Sequence, residues 1–129
     1  MKVELENVKP MDIEKRSFEI ITKELGDTPL IPGTELVVKR CIHTSADFDY
    51  AKNLCFSDHA VEKAIEAIKE GACIVTDTQM AKAGINKKAL ARYGGEVYCF
   101  MSDEDVAKIA KENGSTRATA SMDKAAGLD

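Results

Sequence analysis

Few residues in this chain are of a type and spacing that suit chemistry, and His43 leads them. It follows the apolar run Leu36, Val37, Val38, Cys41 and Ile42 and precedes Thr44, Ser45 and Asp47. A histidine titrates near neutral pH, so it can give or take a proton at small cost. The plainer role for a histidine here is contact with the last carbonyls of its helix. His59 sits among charged neighbours in the first turn of a third helical segment and reads as a surface residue. Arg16-Ser17 can offer a fork of donors to a carboxylate, or can lie on a solvated helix face. Asp77, at the end of an apolar run, can orient a histidine or cap the helix that follows. Thr116-Arg117 places a cation in the first turn of a helix, where it opposes the helix dipole. A bound anion would compensate, so the pair suits either an anion site built with the helix amides or a surface arginine.

Cysteine chemistry is a weaker lead. Cys41, Cys55, Cys73 and Cys99 include no C-x-x-C pair. Zinc sites draw on closely spaced ligands, so no metal site is expected. With no secretory signal at Met1–Glu6, disulfides are not expected either. All four cysteines are expected to be buried, reduced, small hydrophobes.

The elements that must position these residues are legible from periodicity. Pro10 opens a helix carrying Ile13, Ile20, Ile21 and Leu25, and Gly26 stops it. A second helix starts near Thr34 and, from its dense apolar content, is expected to be well buried. Ser45–Tyr50 reads as a turn or short helix. Ser57 caps a third helix with Val61, Ala64, Ile65 and Ile68 that ends at Gly71. Ala72–Thr76 and Glu96–Met101 read as buried strands. Between them lie a short helix over Thr78–Ala83 and another from Lys87 to Tyr93, capped by Asn86. Ser102 caps a helix bearing Val106, Ile109 and Ala110, and Thr116 opens the last one.

Helices between two strands about twenty residues apart predict a parallel crossover and an α/β fold. We expect one domain over residues 1–129, three-layered α/β/α with a mainly parallel sheet. Two strands make a small sheet, and a third is sought in Ala51–Phe56. Ligands of such sheets gather beyond the carboxyl ends of the strands. Those ends carry Asp77-Thr78-Gln79-Met80 and Ser102-Asp103.

The composition, 44% hydrophobic and 31% charged with net charge −4, is that of a soluble globular chain with no general nucleic-acid footprint. No apolar run is long enough to span a membrane. A cytoplasmic location is therefore expected. An acidic chain repels free anions on average, so an anionic ligand needs locally placed donors.

In order along the chain, Glu14-Lys15-Arg16-Ser17-Phe18-Glu19-Ile20-Ile21, Arg40-Cys41-Ile42-His43-Thr44, Gly71–Met80 and Gly114-Ser115-Thr116-Arg117-Ala118 resemble the precorrin-8X methylmutase family. No one of these motifs is specific; four in order, from about residue 10 to residue 125, are. The resemblance implies an isomerase of cobalamin biosynthesis that moves a methyl group from carbon 11 to carbon 12 of ring C, giving hydrogenobyrinate or cobyrinate. It implies a tetrapyrrole substrate, no redox or group-transfer cofactor, and a homodimer with substrate near the interface. It makes His43 the acid that protonates the ring C nitrogen. Arg16, Ser17, Arg40, Asp77, Met80, Thr116 and Arg117 become substrate-binding residues. Family members usually continue past the last helix, so the sheet is expected to be incomplete. A non-catalytic corrinoid-binding module, one part of a split enzyme, and an unrelated α/β domain are the competing readings.

Overall fold

The computed structural model describes residues 4–128. The chain forms two compact units, residues 1–62 and 63–129.

In the first unit, a 3-10 turn at Pro10–Asp12 leads into α1, Ile13–Leu25. Proline's fixed φ suits that first turn. Gly26, at φ +51, donates its N–H to the Thr22 carbonyl and ends the helix as expected. α2 spans Glu35–Ser45, and Ala46 in a left-handed conformation closes it. A one-turn helix, α3, follows at Tyr50–Asn53. Residues 51–56 therefore hold this turn and extended chain in place of a third strand.

α1 packs on α2 because each presents a stripe of apolar residues one turn apart. Ile21 and Leu25 from α1 meet Val38 and Ile42 from α2, with Phe18, Leu30, Phe48 and Leu54 packed around them. Burying Ile42, 1% exposed, is worth about 1.5–3 kcal/mol. The stripe on α2 is narrower than its composition suggests. Leu36 is 73% exposed and Val37 is also exposed, so the helix is not buried all round. A helix turns about 100° per residue, so neither shares the direction of Val38 and Ile42 into the core.

α4, Ala60–Lys69, starts three residues after Ser57, and Ser57 supplies its carbonyl to the Ala60 N–H. His59 precedes the helix at φ +57 and is exposed. It is thus a surface residue, but in the turn before the helix, not in its first turn.

The second unit contains β1, Ile74–Val75, then α5, Gln79–Gly84, and α6, Lys87–Ala91, then β2, Val97–Tyr98, α7, Glu104–Glu112, and α8, Arg117–Ala125. β1 and β2 pair in parallel, Ile74 opposite Val97 and Val75 opposite Tyr98. The architecture is α/β, as expected, but each strand is shorter than its apolar run. At one end the Ala72 N–H is taken by the Ala67 carbonyl, where Gly71 at φ +91 closes α4. At the other, Asp103 N–H bonds to the Phe100 carbonyl and turns the chain away. At the ends of this short ladder the Ile74 and Thr76 N–H groups donate to the Glu96 and Tyr98 carbonyls, at 2.8 and 2.9 Å.

The core of this unit is Val106, Ala110 and Ala120, with Phe100 against it, where α7 packs on α8. Small alanines let the two helices approach. Lys124 braces this packing. Its ammonium lies 5.1 Å from the centre of the Phe100 ring and 2.7 and 2.8 Å from carboxylate oxygens of Asp103 and Asp105. Asp103 occupies the N-cap position of α7 that Ser102 was expected to fill. The Ser102 hydroxyl instead accepts a hydrogen bond from Gln79 Nε2 at 3.3 Å. Among the cysteines, all free, only Cys99 is buried; Cys41 is half-buried, and Cys55 and Cys73 are exposed. The short ladder leaves Cys73 outside the sheet, which is why the expected burial fails there.

Candidate functional site

The helix pair of the first unit sets His43 beside Ser17. His43 lies in the last turn of α2, and Ser17 lies in the second turn of α1. The imidazole Nδ1 and Ser17 Oγ are 2.8 Å apart, both side chains being half-buried. Phe18 holds the ring from another direction, edge-on, with centroids 5.7 Å apart and planes at 71°. The Arg40 guanidinium lies over the Phe18 ring, 5.1 Å from its centre. Arg40 is bound in turn by Glu14, with nitrogen–oxygen distances of 2.8 and 2.9 Å. The Arg40 hydrogen bond, with its charge, holds the Glu14 carboxyl below the usual carboxylate range.

A cleft of about 470 Å³ opens beside His43. Its walls are largely apolar, with Val8, Ile13, Ile20, Ile42 and Phe48 among them. Ile13 and Ile20 are exposed, 53% and 39%, because they border the cleft and not the core. The polar groups on the cleft are Glu6, Arg16, Ser17, Glu24 and His43. Arg16 donates from Nε and Nη2 to the two carboxylate oxygens of Glu6, at 2.7 and 3.2 Å, and lies 3.4 Å from Glu19. An apolar cleft bearing an imidazole and a guanidinium can hold a large, partly apolar, carboxylate-bearing molecule and protonate it.

Of the residues singled out by sequence, Arg16, Ser17 and His43 meet on this cleft. Arg40 stands beside it, committed to Glu14 and Phe18. Asp77, Met80, Thr116 and Arg117 belong to the second unit. Asp77 is exposed, and the helix after it is capped by Thr78, whose hydroxyl accepts from the Ala81 N–H at 3.1 Å. Met80 is 85% exposed. Thr116 caps α8 by accepting from the Thr119 N–H at 3.1 Å, and Arg117 is exposed in the first turn. Sequence reasoning passed over Glu6, Glu14 and Phe18 as site residues. Phe18 and Glu14 carried a faint signal, since they flank Arg16-Ser17 within one turn. Glu6 carried none, because its partner lies ten residues away across irregular chain.

The family model for precorrin-8X methylmutase matches residues 12–128. This chain belongs to the precorrin-8X methylmutase family. The cobalt-precorrin-8 methylmutase of Priestia megaterium is 42% identical over 118 residues, a match covering 92% of this chain and 52% of that protein. The cobalt-precorrin-8 methylmutase of Salmonella typhimurium is 42% identical, over 88% of this chain and 57% of its own. Among solved structures, the precorrin-8x methyl mutase of Thermus thermophilus superposes with a TM-score of 0.76 at 36% identity, covering 89% of this chain and 55% of that one. The chain spans about half the length of the curated relatives it matches. The methylmutase family match runs through both compact units, and His43, Ser17 and Arg16 all fall inside it.

Proposed function

We propose that this chain acts in the methylmutase reaction, moving a methyl group from carbon 11 to carbon 12 of ring C of precorrin-8X or its cobalt form, with His43 as the proton donor. The observation that carries this reading is the His43–Ser17 pair on an apolar cleft beside Arg16. A proton on the ring C nitrogen draws electrons from the conjugated ring and lowers the barrier to migration. The methyl group leaves carbon 11 as it bonds to carbon 12, within one molecule. Because the reaction is an isomerisation, His43 regains its proton from the rearranged ring.

Ser17 suits this cycle. As imidazolium, His43 donates Nδ1–H to Ser17 Oγ and keeps Nε2–H for the substrate. After Nε2 has given its proton, Nδ1–H still donates to the same oxygen. The hydrogen bond therefore survives the transfer, and the ring need not turn. The apolar walls accept the face of a macrocycle, and Arg16 offers its fork to a peripheral carboxylate.

In the second unit, Arg117 at the start of α8 is a further carboxylate anchor in this reading, with Asp77, Met80 and Thr116 as neighbours of the substrate. Arg40 acts through Phe18. The reading also carries a homodimer, a cytoplasmic place of action and no cofactor. Sedimentation equilibrium tests the first of these, and cell fractionation the second.

The decisive experiment is turnover of precorrin-8X followed in the visible spectrum. His43→Ala is expected to lose about 10²–10⁴-fold in rate. A wild-type rate in that variant would remove His43 from the chemistry. A spectral shift of added hydrogenobyrinate without turnover would reduce the chain to a corrinoid-binding module.

A further inference from the structure

The Arg16 guanidinium on the His43 cleft is already occupied. Residues 4–9 form neither helix nor strand, yet Glu6 and Val8 both line the cleft. Glu6 gives its two carboxylate oxygens to Nε and Nη2 of Arg16, at 2.7 and 3.2 Å, the two-pronged geometry by which a guanidinium recognises any carboxylate. A ligand carboxylate arriving at Arg16 needs the same two donors.

We propose that Glu6 is an internal competitor, a carboxylate of the chain itself that a carboxylate of the ligand must displace from Arg16. This inference rests on the proposed function only in naming a polycarboxylate corrinoid as the displacing ligand; the exchange holds for any carboxylate that enters the cleft. The exchange is cheap. The Arg16 and Glu6 side chains are 41% and 58% exposed, and ion pairs this open to water contribute little. Nor does it favour the ligand by itself, since Arg16 loses one bidentate partner and gains another. Net affinity must then come from apolar contact with Ile13 and Ile20. Glu6 thereby determines specificity: a small carboxylate gains nothing from Arg16, and a ligand with a broad apolar body as well as a carboxylate does. Displacement also frees residues 4–9 from the rim.

The test titrates wild type, Glu6→Gln, Arg16→Gln and the double variant with hydrogenobyrinate and, separately, with tricarballylate, at fixed ionic strength. Glu6→Gln is expected to tighten both dissociation constants about two- to fivefold. In the Arg16→Gln background the same change should have no effect. Glu24→Gln removes the same charge from the same cleft without touching Arg16. If it tightens binding as much as Glu6→Gln does, the effect is general repulsion and the proposal is overturned. Cleavage after Glu6 by a glutamate-specific endoprotease is expected to quicken when hydrogenobyrinate is added to wild type, and unchanged cleavage counts against release of the segment. If tricarballylate binding tightens while no variant binds hydrogenobyrinate, the exchange stands and the corrinoid reading falls. If hydrogenobyrinate binds wild type and Glu6→Gln equally, the exchange falls and the corrinoid reading stands.

Discussion

His43 Nδ1 and Ser17 Oγ lie 2.8 Å apart, and the pair is separated by the same 26 residues as Arg40 and Glu14, one helical turn earlier. Both pairs join the first half of α1 to the second half of α2, so they report one contact between the two helices. Sliding one helix by a turn would part both pairs at once. The packing of Ile21 and Leu25 on Val38 and Ile42 is what prevents it. The position of His43 is therefore a consequence of core packing.

If Ser17 holds His43, Ser17→Ala should lower kcat for precorrin-8X about ten- to a hundredfold while KM changes little. If Ser17 instead holds a substrate carboxylate, KM rises and kcat is spared. The two outcomes are distinct in a single Michaelis–Menten series. Ser17→Thr, which keeps the hydroxyl, should recover part of the kcat.

Gly95 is tested through backbone geometry. A Cβ at this position would lie 2.6 Å from the Ala72 carbonyl oxygen and 2.9 Å from a Leu90 methyl carbon. The first of these contacts is with backbone, which cannot yield by a side-chain rotation. Gly95→Ala is expected to cost about 1–3 kcal/mol, seen as a lowered thermal midpoint. At Gly94 nothing lies within 4 Å, but φ is +82, so Gly94→Ala should cost about 1 kcal/mol from strain alone. Equal midpoints for Gly95→Ala and wild type would show that β2 shifts away from Ala72 without penalty.

The difference between these glycines marks the limit of what sequence made legible. Gly94-Gly95 read as a break, and a break it is; that one glycine serves φ and the other a close approach depends on Ala72, more than twenty residues away. The same holds for the site. Local signals placed α1, α2, the parallel pair, the cap Asn86 and the start of α8 at Thr116, because spacing and caps act within a turn or two; the cap of α5 is Thr78, one residue past the expected Asp77. Strand length, the exposure of Cys73 and Leu36, and the commitment of Arg40 to Glu14 depend on neighbours distant in sequence. Ser102 was misjudged as a cap for the same reason, since Gln79 claims its hydroxyl.

Thr116 gives a stability prediction with a built-in rescue. Its hydroxyl accepts from the Thr119 N–H at 3.1 Å and is 3.0 Å from the Thr119 hydroxyl. Thr116→Ala removes the acceptor from the start of α8 and should cost about 1 kcal/mol by urea unfolding. Thr116→Ser keeps it and should restore most of that loss. A Thr116→Ser variant as unstable as Thr116→Ala would mean that the methyl group, and not the cap, matters.

Acid stability should depend on Lys124. Its hydrogen bond is the main cause holding the Asp105 carboxyl below the usual carboxylate range, helped by the Val106 N–H. A carboxyl whose pKa is lowered on folding binds fewer protons in the folded state. Its stabilisation is therefore complete above the unfolded value, about pH 4, and is lost as pH falls through the folded value. The Lys124 ammonium is raised, first by Asp103 and then by Asp105. Its contribution is complete below the ordinary lysine range and is lost only in strong alkali. Across pH 2 to 6 Lys124 stays charged and adds no slope of its own. Asp105→Asn should flatten the fall of the urea midpoint over that window, leaving the midpoints near pH 6 lower than wild type and those near pH 2 similar. Both groups are exposed, so the effect is modest and should shrink in high salt. A variant curve parallel to wild type at every pH would show that Asp105 carries no net interaction with Lys124 in solution.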